Sequence, residues 1–304
     1  MERLHRSILV TEIIELLSIS PTGVYADLTF GEGGHSEALL DAGAHRVIAL
    51  DRDKETLDRY QKDGKYSGDP RLSLVHGKFS EFSEAISTPT HFDGFVLDLG
   101  VSTRQLLEPN RGFSFAHKGP LDMRMDRERD RPLSDCLEEW EEEELGAFLK
   151  DAAGIPGAYR VARRVLEAAR TGKLQTTEDL AAMMGPKRSK RHPATTLFMA
   201  LRMAVNDELG EIELALPHLI QRLKPGGRMA ILTFHSTEDR LVKRLLKVAA
   251  GRCTCDEPIC RCTNPKVVEW MNKKPILASD DELRENPRAR SAKLRCVEKL
   301  GDAN

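Results

Sequence analysis

The stretch YADLTFGEGGHSEALLDAG, residues 25–43, has the pattern of a buried strand, a glycine-rich turn and a short helix. Apolar residues dominate its first part, Gly31, Gly33 and Gly34 fall in the turn, and Ser36 is a candidate helix cap. A turn of this kind brings backbone N–H groups and a helix N-terminus close to a ligand. The stretch therefore predicts the first unit of an α/β sheet with a ligand-binding edge.

Strands and helices continue to alternate along the first hundred residues. We predict strands at residues 24–30, 46–51, 72–76 and 94–99, and helices at 36–43 and 53–62. This alternation is typical of a parallel, doubly wound Rossmann-like sheet.

The strand pattern then stops and later returns. Residues 112–201 contain several helical patterns and no convincing strand, and a helix, a turn and a buried strand follow them. We therefore predict an α/β fold with an inserted helical domain. The expected division is residues 1–111 and 203–304 for the α/β domain and 112–202 for the insertion.

Composition and charge place the chain among water-soluble globular proteins. It has 304 residues, of which 40% are hydrophobic and 31% are charged. No apolar run approaches the roughly 20 residues that span a bilayer. Acidic residues interrupt the apolar N-terminal stretch, which argues against a secretory signal and leads us to expect a cytoplasmic protein without a membrane partner. The net charge of −2 conceals an acidic block at residues 121–157 and a basic one at 158–202.

The charge of the glycine-rich turn disfavours a phosphate ligand. The turn lacks the third glycine of a dinucleotide-binding loop, carries Glu32, and has no lysine or arginine. A ligand with a sulfonium and an amino group, such as S-adenosylmethionine, suits this charge better. Asp51 ends the next predicted strand, where such folds place an acid that binds ribose hydroxyls. The alternative is a tight turn followed by an ordinary strand-end aspartate.

Two further residues follow predicted strands at the same edge. Asp98 ends the fourth strand and is a candidate for the cofactor's amine, or for accepting a proton from a substrate amine. Phe79 follows the third strand and could pack against an adenine; an ordinary core phenylalanine is the alternative.

Ten motifs occur together and in order along nearly the whole chain. They are TFGEGGHS, ALDRD, HGKFS, LDLGVST, RGFSF, GPLDMRMD, HPATTLFMALRMAVNDEL, LKPGGR, FHSTEDRLVK and NPRARSAKLR. In these motifs the chain resembles the RsmH (MraW) family, bacterial S-adenosylmethionine-dependent methyltransferases of 16S ribosomal RNA.

The resemblance implies a class I methyltransferase fold with S-adenosylmethionine as cofactor. It implies N4-methylation of a cytidine in the decoding region, with 16S ribosomal RNA or the small ribosomal subunit as partner; a homodimer is left open. The cofactor contacts carried over by motif are Gly33, Gly34, His35, Asp51, Phe79, Asp98 and Gln105. Asp98 is also the candidate catalytic residue, and a hydrogen bond within the loop is the alternative for His35.

Several residues are candidates for contacts with RNA or for shaping the cleft. Phe113 and Phe115 could stack on an unstacked base with Arg111 on a phosphate, or could instead anchor the insertion. Asn206 and His235 fall where catalytic clefts of this fold lie.

Basic residues cluster within the predicted insertion. The segment GPKRSKRHP, residues 185–193, and the run Arg160, Arg163 and Arg164 are candidates for a phosphate-binding face. A solvated helix face is the alternative meaning of such charge.

Four of the six cysteines lie in the segment CTCDEPICRC. Cys253, Cys255, Cys260 and Cys262 could bind one zinc ion, although C-x-C pairs are less usual than C-x-x-C pairs. A plain surface loop with free thiols is the alternative.

Two other classes of function compete with a methyltransferase. A nucleic-acid-binding protein with an inactive methyltransferase fold is disfavoured by the intact set of Gly33, Gly34, Asp51 and Asp98. An NAD-dependent oxidoreductase is disfavoured by Glu32 and by the missing third glycine.

Overall fold

The computed structural model describes residues 7–86, 88, 90–186, 192–255 and 262–301. It divides into two compact units, one formed by Met1–Gly100 with Leu209–Asn304 and the other by Val101–Glu208. The insertion expected at residues 112–202 falls within the second unit.

A seven-stranded sheet forms the centre of the first unit. Its strands are β1 (Val24–Asp27), β2 (Arg46–Asp51), β3 (Leu72–His76), β4 (Phe92–Asp98), β5 (Leu223–Thr233), β6 (Val268–Trp270) and β7 (Lys293–Lys299). Their spatial order is β3-β2-β1-β4-β5-β7-β6. Strands β1 to β5 are parallel, and β7 pairs antiparallel with both β5 and β6. The order reverses at β1 and β4, as in doubly wound sheets that bind ligands outside the carboxyl ends of their strands.

Helices cover this sheet and make up the second unit. In the first unit they are α1 (Val10–Leu17), α2 (Gly34–Asp41), α3 (Lys54–Asp63), α4 (Phe82–Ala85), α11 (Glu208–Arg222), α12 (Ser236–Ala249) and α13 (Asp280–Glu285). The helices of the second unit are α5 (Thr103–Leu107), α6 (Leu133–Glu139), α7 (Glu142–Ala153), α8 (Ala158–Arg170), α9 (Thr177–Ala182) and α10 (Pro193–Val205). Short 3₁₀ turns occupy Phe79–Glu81, Pro109–Arg111 and Pro287–Ser291. None of the helices in the described ranges has the length and apolar character needed to cross a membrane.

Both faces of the sheet are buried. Phe95 and Leu97 of β4 point into a cluster shared with α4, α11 and α12, whereas Val96 between them points into a cluster shared with α1 and α2. Successive residues of a strand face opposite sides, so a strand covered on both sides must be apolar throughout. This constraint explains the continuous apolar run at the centre of β4. It confirms the predicted doubly wound, Rossmann-like sheet.

Two local predictions around the first turn were wrong. Strand β1 ends at Asp27 and does not continue to Phe30, and α2 begins at Gly34 with Ser36 inside it. The Ser36 hydroxyl donates a 2.8 Å hydrogen bond to the Asp27 carboxylate, so it fixes an acid and does not cap the helix. The short strand β6 (Val268–Trp270) was not predicted, because three residues are too few to show a period.

Asn206 fixes the irregular chain that precedes α6 in the second unit. Its side chain is buried; it accepts the Met125 N–H at 2.8 Å and donates to the Met123 and Arg202 carbonyls, also at 2.8 Å. Met123 has a left-handed φ of 60°, which a side chain other than glycine adopts at a cost. Asn206 therefore stabilises a strained segment through backbone hydrogen bonds within its own unit.

Replacing Asn206 by alanine should lower the free energy of unfolding by about 2–4 kcal/mol, because two buried backbone groups lose their partners. Urea unfolding followed by circular dichroism measures the change. Lys150→Ala on the exposed face of α7 is the matched control and should shift stability by less than about 0.5 kcal/mol. A loss below about 1 kcal/mol in Asn206→Ala would contradict this structural role.

Candidate cofactor site

Acidic side chains end three neighbouring parallel strands. Asp27, Asp51 and Asp98 are the last residues of β1, β2 and β4, which lie side by side in the sheet. Carboxyl ends of parallel strands meet at one edge, so these carboxylates share the edge where open α/β sheets bind ligands.

The Asp51 carboxylate ties the glycine-rich turn to the sheet. One carboxylate oxygen accepts the Gly31 N–H at 2.7 Å and the other accepts the Asp53 N–H at 2.8 Å. The Phe30 N–H also donates to the Leu50 carbonyl at 3.0 Å. The turn after β1 is therefore held against the end of β2 before any ligand binds.

Burial makes the Asp51 carboxylate costly to ionise. Loss of solvation raises its pKa from 3.8 to about 6, although the hydrogen bonds from Asp53 and Gly31 act in the opposite direction. Nearby Asp53 and Asp27 raise the pKa further. A ligand that donates hydrogen bonds or brings positive charge would favour the ionised form.

Gly33 and Gly34 leave room for the protein's own side chains. Gly33 has a φ of +83°, and a Cβ there would lie 2.6 Å from the Tyr60 ring. A Cβ on Gly34 would lie 2.1 Å from the Ser7 hydroxyl. These close approaches already require glycine, so contact of this backbone with a cofactor stays a prediction.

His35 and Asp98 form a buried pair. His35 Nε2 lies 3.4 Å from Asp98 Oδ2, and the side chains are 4% and 16% exposed. The Thr29 hydroxyl accepts the Asp98 N–H at 2.6 Å, which links the end of β4 to the turn. Asp98 Oδ1 is buried and accepts no hydrogen bond from the described residues. This oxygen can accept a donor from a ligand.

Opposing effects act on the pKa of His35. Burial lowers it, but the adjacent Asp98 and the charges of Asp27 and Glu282 outweigh burial, and the net shift is upward. The neighbouring acids therefore bias the imidazole toward its cationic form.

Asp27 is a member of this cluster that was not predicted. It is fully buried, accepts the Ser36 hydroxyl at 2.8 Å and accepts the Thr29 N–H at 3.3 Å. Burial raises the pKa of Asp27, and the charge of His35 partly opposes this. The missed signal was an aspartate within an otherwise apolar run, directly before the turn.

Phe79 lies close to Asp51 along the sheet edge. β3 ends at His76, which pairs in register with Asp51, and the Gly77 N–H donates to the Asp51 carbonyl at 3.0 Å. Phe79 begins the following 3₁₀ turn and is half-buried against the main core. An acid for ribose hydroxyls and an aromatic ring for adenine would therefore be neighbours.

Gln105 belongs to the second unit. It lies in α5, where its Oε1 accepts the Ser102 N–H at 3.0 Å and its own N–H donates to the Ser102 hydroxyl at 3.2 Å. Arg104 lies 3.7 Å from Glu108 on the same helix. These contacts make Gln105 part of a capping box, and its contact with a cofactor stays a prediction.

The predicted phosphate contact of Arg111 is wrong. This side chain is only 2% exposed and donates to the Arg124 and Met125 carbonyls at 3.0 and 3.1 Å. Phe113 is buried in the core of the second unit, which supports its anchoring role over base stacking. Phe115 is half-buried, and the centroid of its ring lies 4.9 Å from the ring centroid of Phe198.

His235 caps α12. Its Nδ1 accepts the Glu238 N–H at 3.3 Å, and its Nε2 lies 2.6 Å from Glu238 Oε1. This is a role in shaping the loop after β5.

The structure describes the predicted basic surface on α8 but not the basic block at residues 187–191. Arg160, Arg163 and Arg164 are exposed on one side of α8, opposite the buried Ala162 and Val165. The block formed by Lys187, Arg188, Lys190 and Arg191 lies outside the described residues.

Comparisons with known proteins find relatives along nearly the whole chain. The model of the MraW methylase family matches residues 2–300. Proteins named ribosomal RNA small subunit methyltransferase H from Paenibacillus and Heliobacterium modesticaldum are 40% and 41% identical. Both alignments cover 97% of this chain, and they cover 99% and 98% of the two relatives. The protein of the same name from Methylococcus capsulatus is 41% identical over 96% of this chain and 99% of its own length.

One assignment follows from these observations. The sheet has an acidic edge, a helical segment lies between β4 and β5, and the sequence identity to the relatives is near 40% along nearly the whole chain. The chain belongs to the MraW methylase family.

Proposed function

We propose that this protein transfers the methyl group of S-adenosylmethionine to the exocyclic N4 of a cytidine in the decoding region of 16S ribosomal RNA. The chain is a methyltransferase by family, and its full-length relatives are named for the small-subunit ribosomal RNA. The observation that carries the proposal is the edge formed by Asp27, Asp51 and Asp98, which is suited to a cationic nucleoside cofactor.

The hydrogen-bond acceptors at this edge fit S-adenosylmethionine. Asp51 offers carboxylate lone pairs to two ribose hydroxyls while it keeps its backbone donors. Asp98 Oδ1, buried without a partner among the described residues, offers an acceptor to the ammonium group. A sulfonium is stabilised by the same carboxylates, whereas a pyrophosphate would be repelled.

When bound, the cofactor supplies an electrophilic methyl group on a cationic sulfur. Transfer breaks the sulfur–carbon bond, forms a nitrogen–carbon bond, and requires the cytosine amine to give up one proton. The lone pair of this amine is delocalised into the ring, so the chain must align it with the methyl and exclude water. Asp51, Asp98 and the turn carrying Gly33 would perform the alignment from the cofactor side.

We assign Asp98 to the cofactor amine and not to the substrate proton. His35, whose pKa is raised by its acidic neighbours, lies 3.4 Å from the Asp98 Oδ2. His35 already occupies Oδ2, and the buried Oδ1, which accepts no hydrogen bond from the described residues, remains as an acceptor for an ammonium group. Leu99, Gly100 and Val101 follow it, where many amino-methyltransferases have two prolines and an aromatic residue. The choice of cytosine N4 therefore rests on the family.

The exposed arginines of α8 support an RNA substrate. Arg160 and Arg163 lie three residues apart on the solvent side of a helix whose opposite side is buried in the second unit. Arginines on one helix face can contact successive phosphates, and such contacts supply affinity without sequence selectivity.

The substrate is tested by incubating the protein with labelled S-adenosylmethionine and 16S ribosomal RNA or small subunits from a strain that lacks it. Nuclease digestion and mass spectrometry should find N4-methylcytidine at one position. Label in another nucleoside would contradict the cytidine N4 assignment. Absence of transfer to either form of the RNA would contradict the function.

Affinity for S-adenosylmethionine should rise as pH increases from about 5 to about 7, because the Asp51 pKa of about 6 must fall when ribose hydroxyls bind its ionised form. Asp51→Asn should bind about 10- to 100-fold more weakly at pH 7 and lose most of this pH dependence. Calorimetric titration across the pH range measures both effects. Asp58→Asn on the exposed side of α3 is the control and should behave like the unmodified protein. An unchanged pH profile in Asp51→Asn would exclude the ribose role.

Asp98→Asn should raise the dissociation constant for S-adenosylmethionine about 10- to 100-fold, with a smaller effect on turnover at saturating cofactor. Asp93→Asn is the matched control. Asp93 lies on the same strand, but at its amino end, where it accepts the Val24 N–H. If turnover collapsed while cofactor affinity stayed unchanged, Asp98 would be the proton acceptor and our assignment would be wrong.

A further inference from the structure

Three exposed cysteines come together between α12 and β6. The sulfur atoms of Cys253, Cys255 and Cys262 all lie within 4.8 Å of one another. Cys253 Sγ and Cys255 Sγ are 2.9 Å apart, and none of the three forms a disulfide. Cys262 is seven residues beyond Cys255, so the cluster joins two arms of one loop.

The base of this loop is fixed by the backbone. Ala250 and Lys266 form an antiparallel bridge, and the Asn264 side chain donates to the Arg252 carbonyl at 3.1 Å. Gly251 turns the chain with a φ of +76°. Arg252 directly precedes Cys253, and Asn264 lies two residues after Cys262. The two arms therefore bring their thiols together as a consequence of the fold.

The spacing of the sulfur atoms suits a shared zinc ion. A tetrahedral zinc with bonds of roughly 2.3 Å to sulfur places its thiolates roughly 3.8 Å apart. The sulfur distances bracket this value, from 2.9 Å for Cys253 and Cys255 to an upper bound of 4.8 Å for all three, so side-chain rotation would adjust them to a shared ion. The Cys255 N–H also points at Cys253 Sγ from 3.2 Å. Hydrogen bonds of this kind orient and stabilise metal-bound thiolates.

The other two described cysteines lack this environment. Cys296 is buried in β7, and burial raises its pKa to about 12, so it stays a neutral thiol. Cys136 lies in α6 of the second unit, and burial raises its pKa as well. Both are therefore useful as reference thiols.

We propose that Cys253, Cys255 and Cys262 bind one zinc ion, which closes the loop between α12 and β6. Three protein thiolates leave one position of a tetrahedral zinc for a fourth ligand. Cys260, which the sequence pattern also suggested, lies outside the described residues, and the proposal stands on the other three. The site is structural, because it closes a loop whose two arms are already joined at the base by the bridge between Ala250 and Lys266. It does not depend on the methyltransferase reaction.

The test uses the full chain, purified under reducing conditions without a histidine tag or a chelator. Elemental analysis should find about one zinc per chain. Protein stripped with a chelator should regain one equivalent when titrated with Zn²⁺ alone. Cobalt in place of zinc should give the sulfur-to-metal charge-transfer absorption of a thiolate site.

Single substitutions of the proposed cysteine ligands test where the zinc ion binds. Cys253→Ser and Cys262→Ser should each lose the stoichiometric zinc and the cobalt absorption, whereas Cys136→Ser should keep both. Binding of S-adenosylmethionine at saturation should stay the same in all three, which separates metal loss from misfolding. The proposal is overturned if the reduced, unmodified chain takes up no stoichiometric zinc, or if a disulfide between Cys253 and Cys255 persists under those conditions. Zinc retained by both ligand variants would overturn it equally.

Discussion

The hydrogen bond from the Gly31 N–H to the Asp51 carboxylate joins the two parts of the chain on which the candidate cofactor site is built. It holds the turn after β1 against the end of β2, while the second carboxylate oxygen accepts the Asp53 N–H at the start of α3. One side chain thereby positions a turn, a strand end and a helix start. The cost is a buried acid whose pKa is raised to about 6. The protein keeps a carboxylate where its own stability would prefer a neutral group.

Other acids along this edge of the sheet are also buried although burial disfavours their ionised form. Asp27 is fully buried with a raised pKa, and Asp98 has a buried oxygen that accepts no hydrogen bond from the described chain. The charges of both acids act on His35 and raise the pKa of its imidazole against the effect of burial. Buried charge that is only partly compensated is costly in a folded protein. The concentration of such charge at one strand edge agrees with the proposed binding of a cationic cofactor there.

The fold could be predicted from the sequence because a sheet buried on both sides needs continuous apolar strands. Strand β2 ends at Asp51 as predicted, whereas β4 spans Phe92–Asp98 where residues 94–99 were predicted. Asp27 was missed because Leu28 and Phe30 extend the apolar run after the strand has ended. The buried environment of Arg111 could not be predicted, since its partners are backbone carbonyls of an irregular segment with no sequence signature. Likewise, sequence showed four clustered cysteines, but only the bridge between Ala250 and Lys266 shows how the two arms meet.

The charge at this edge would also affect how strongly the protein binds the proposed methyl donor compared with the product of the reaction. Asp27, Asp51 and Asp98 attract a ligand with a sulfonium more strongly than the corresponding neutral thioether, and at a partly buried edge such a difference is less screened than in water. The ribose and amino groups contribute equally in the two forms, because neither changes during transfer. If these residues bind the cofactor as proposed, the carboxylates would favour the methyl donor over its product. Burial of these acids is unfavourable in the free protein, and we propose that selective binding of the charged cofactor compensates for it.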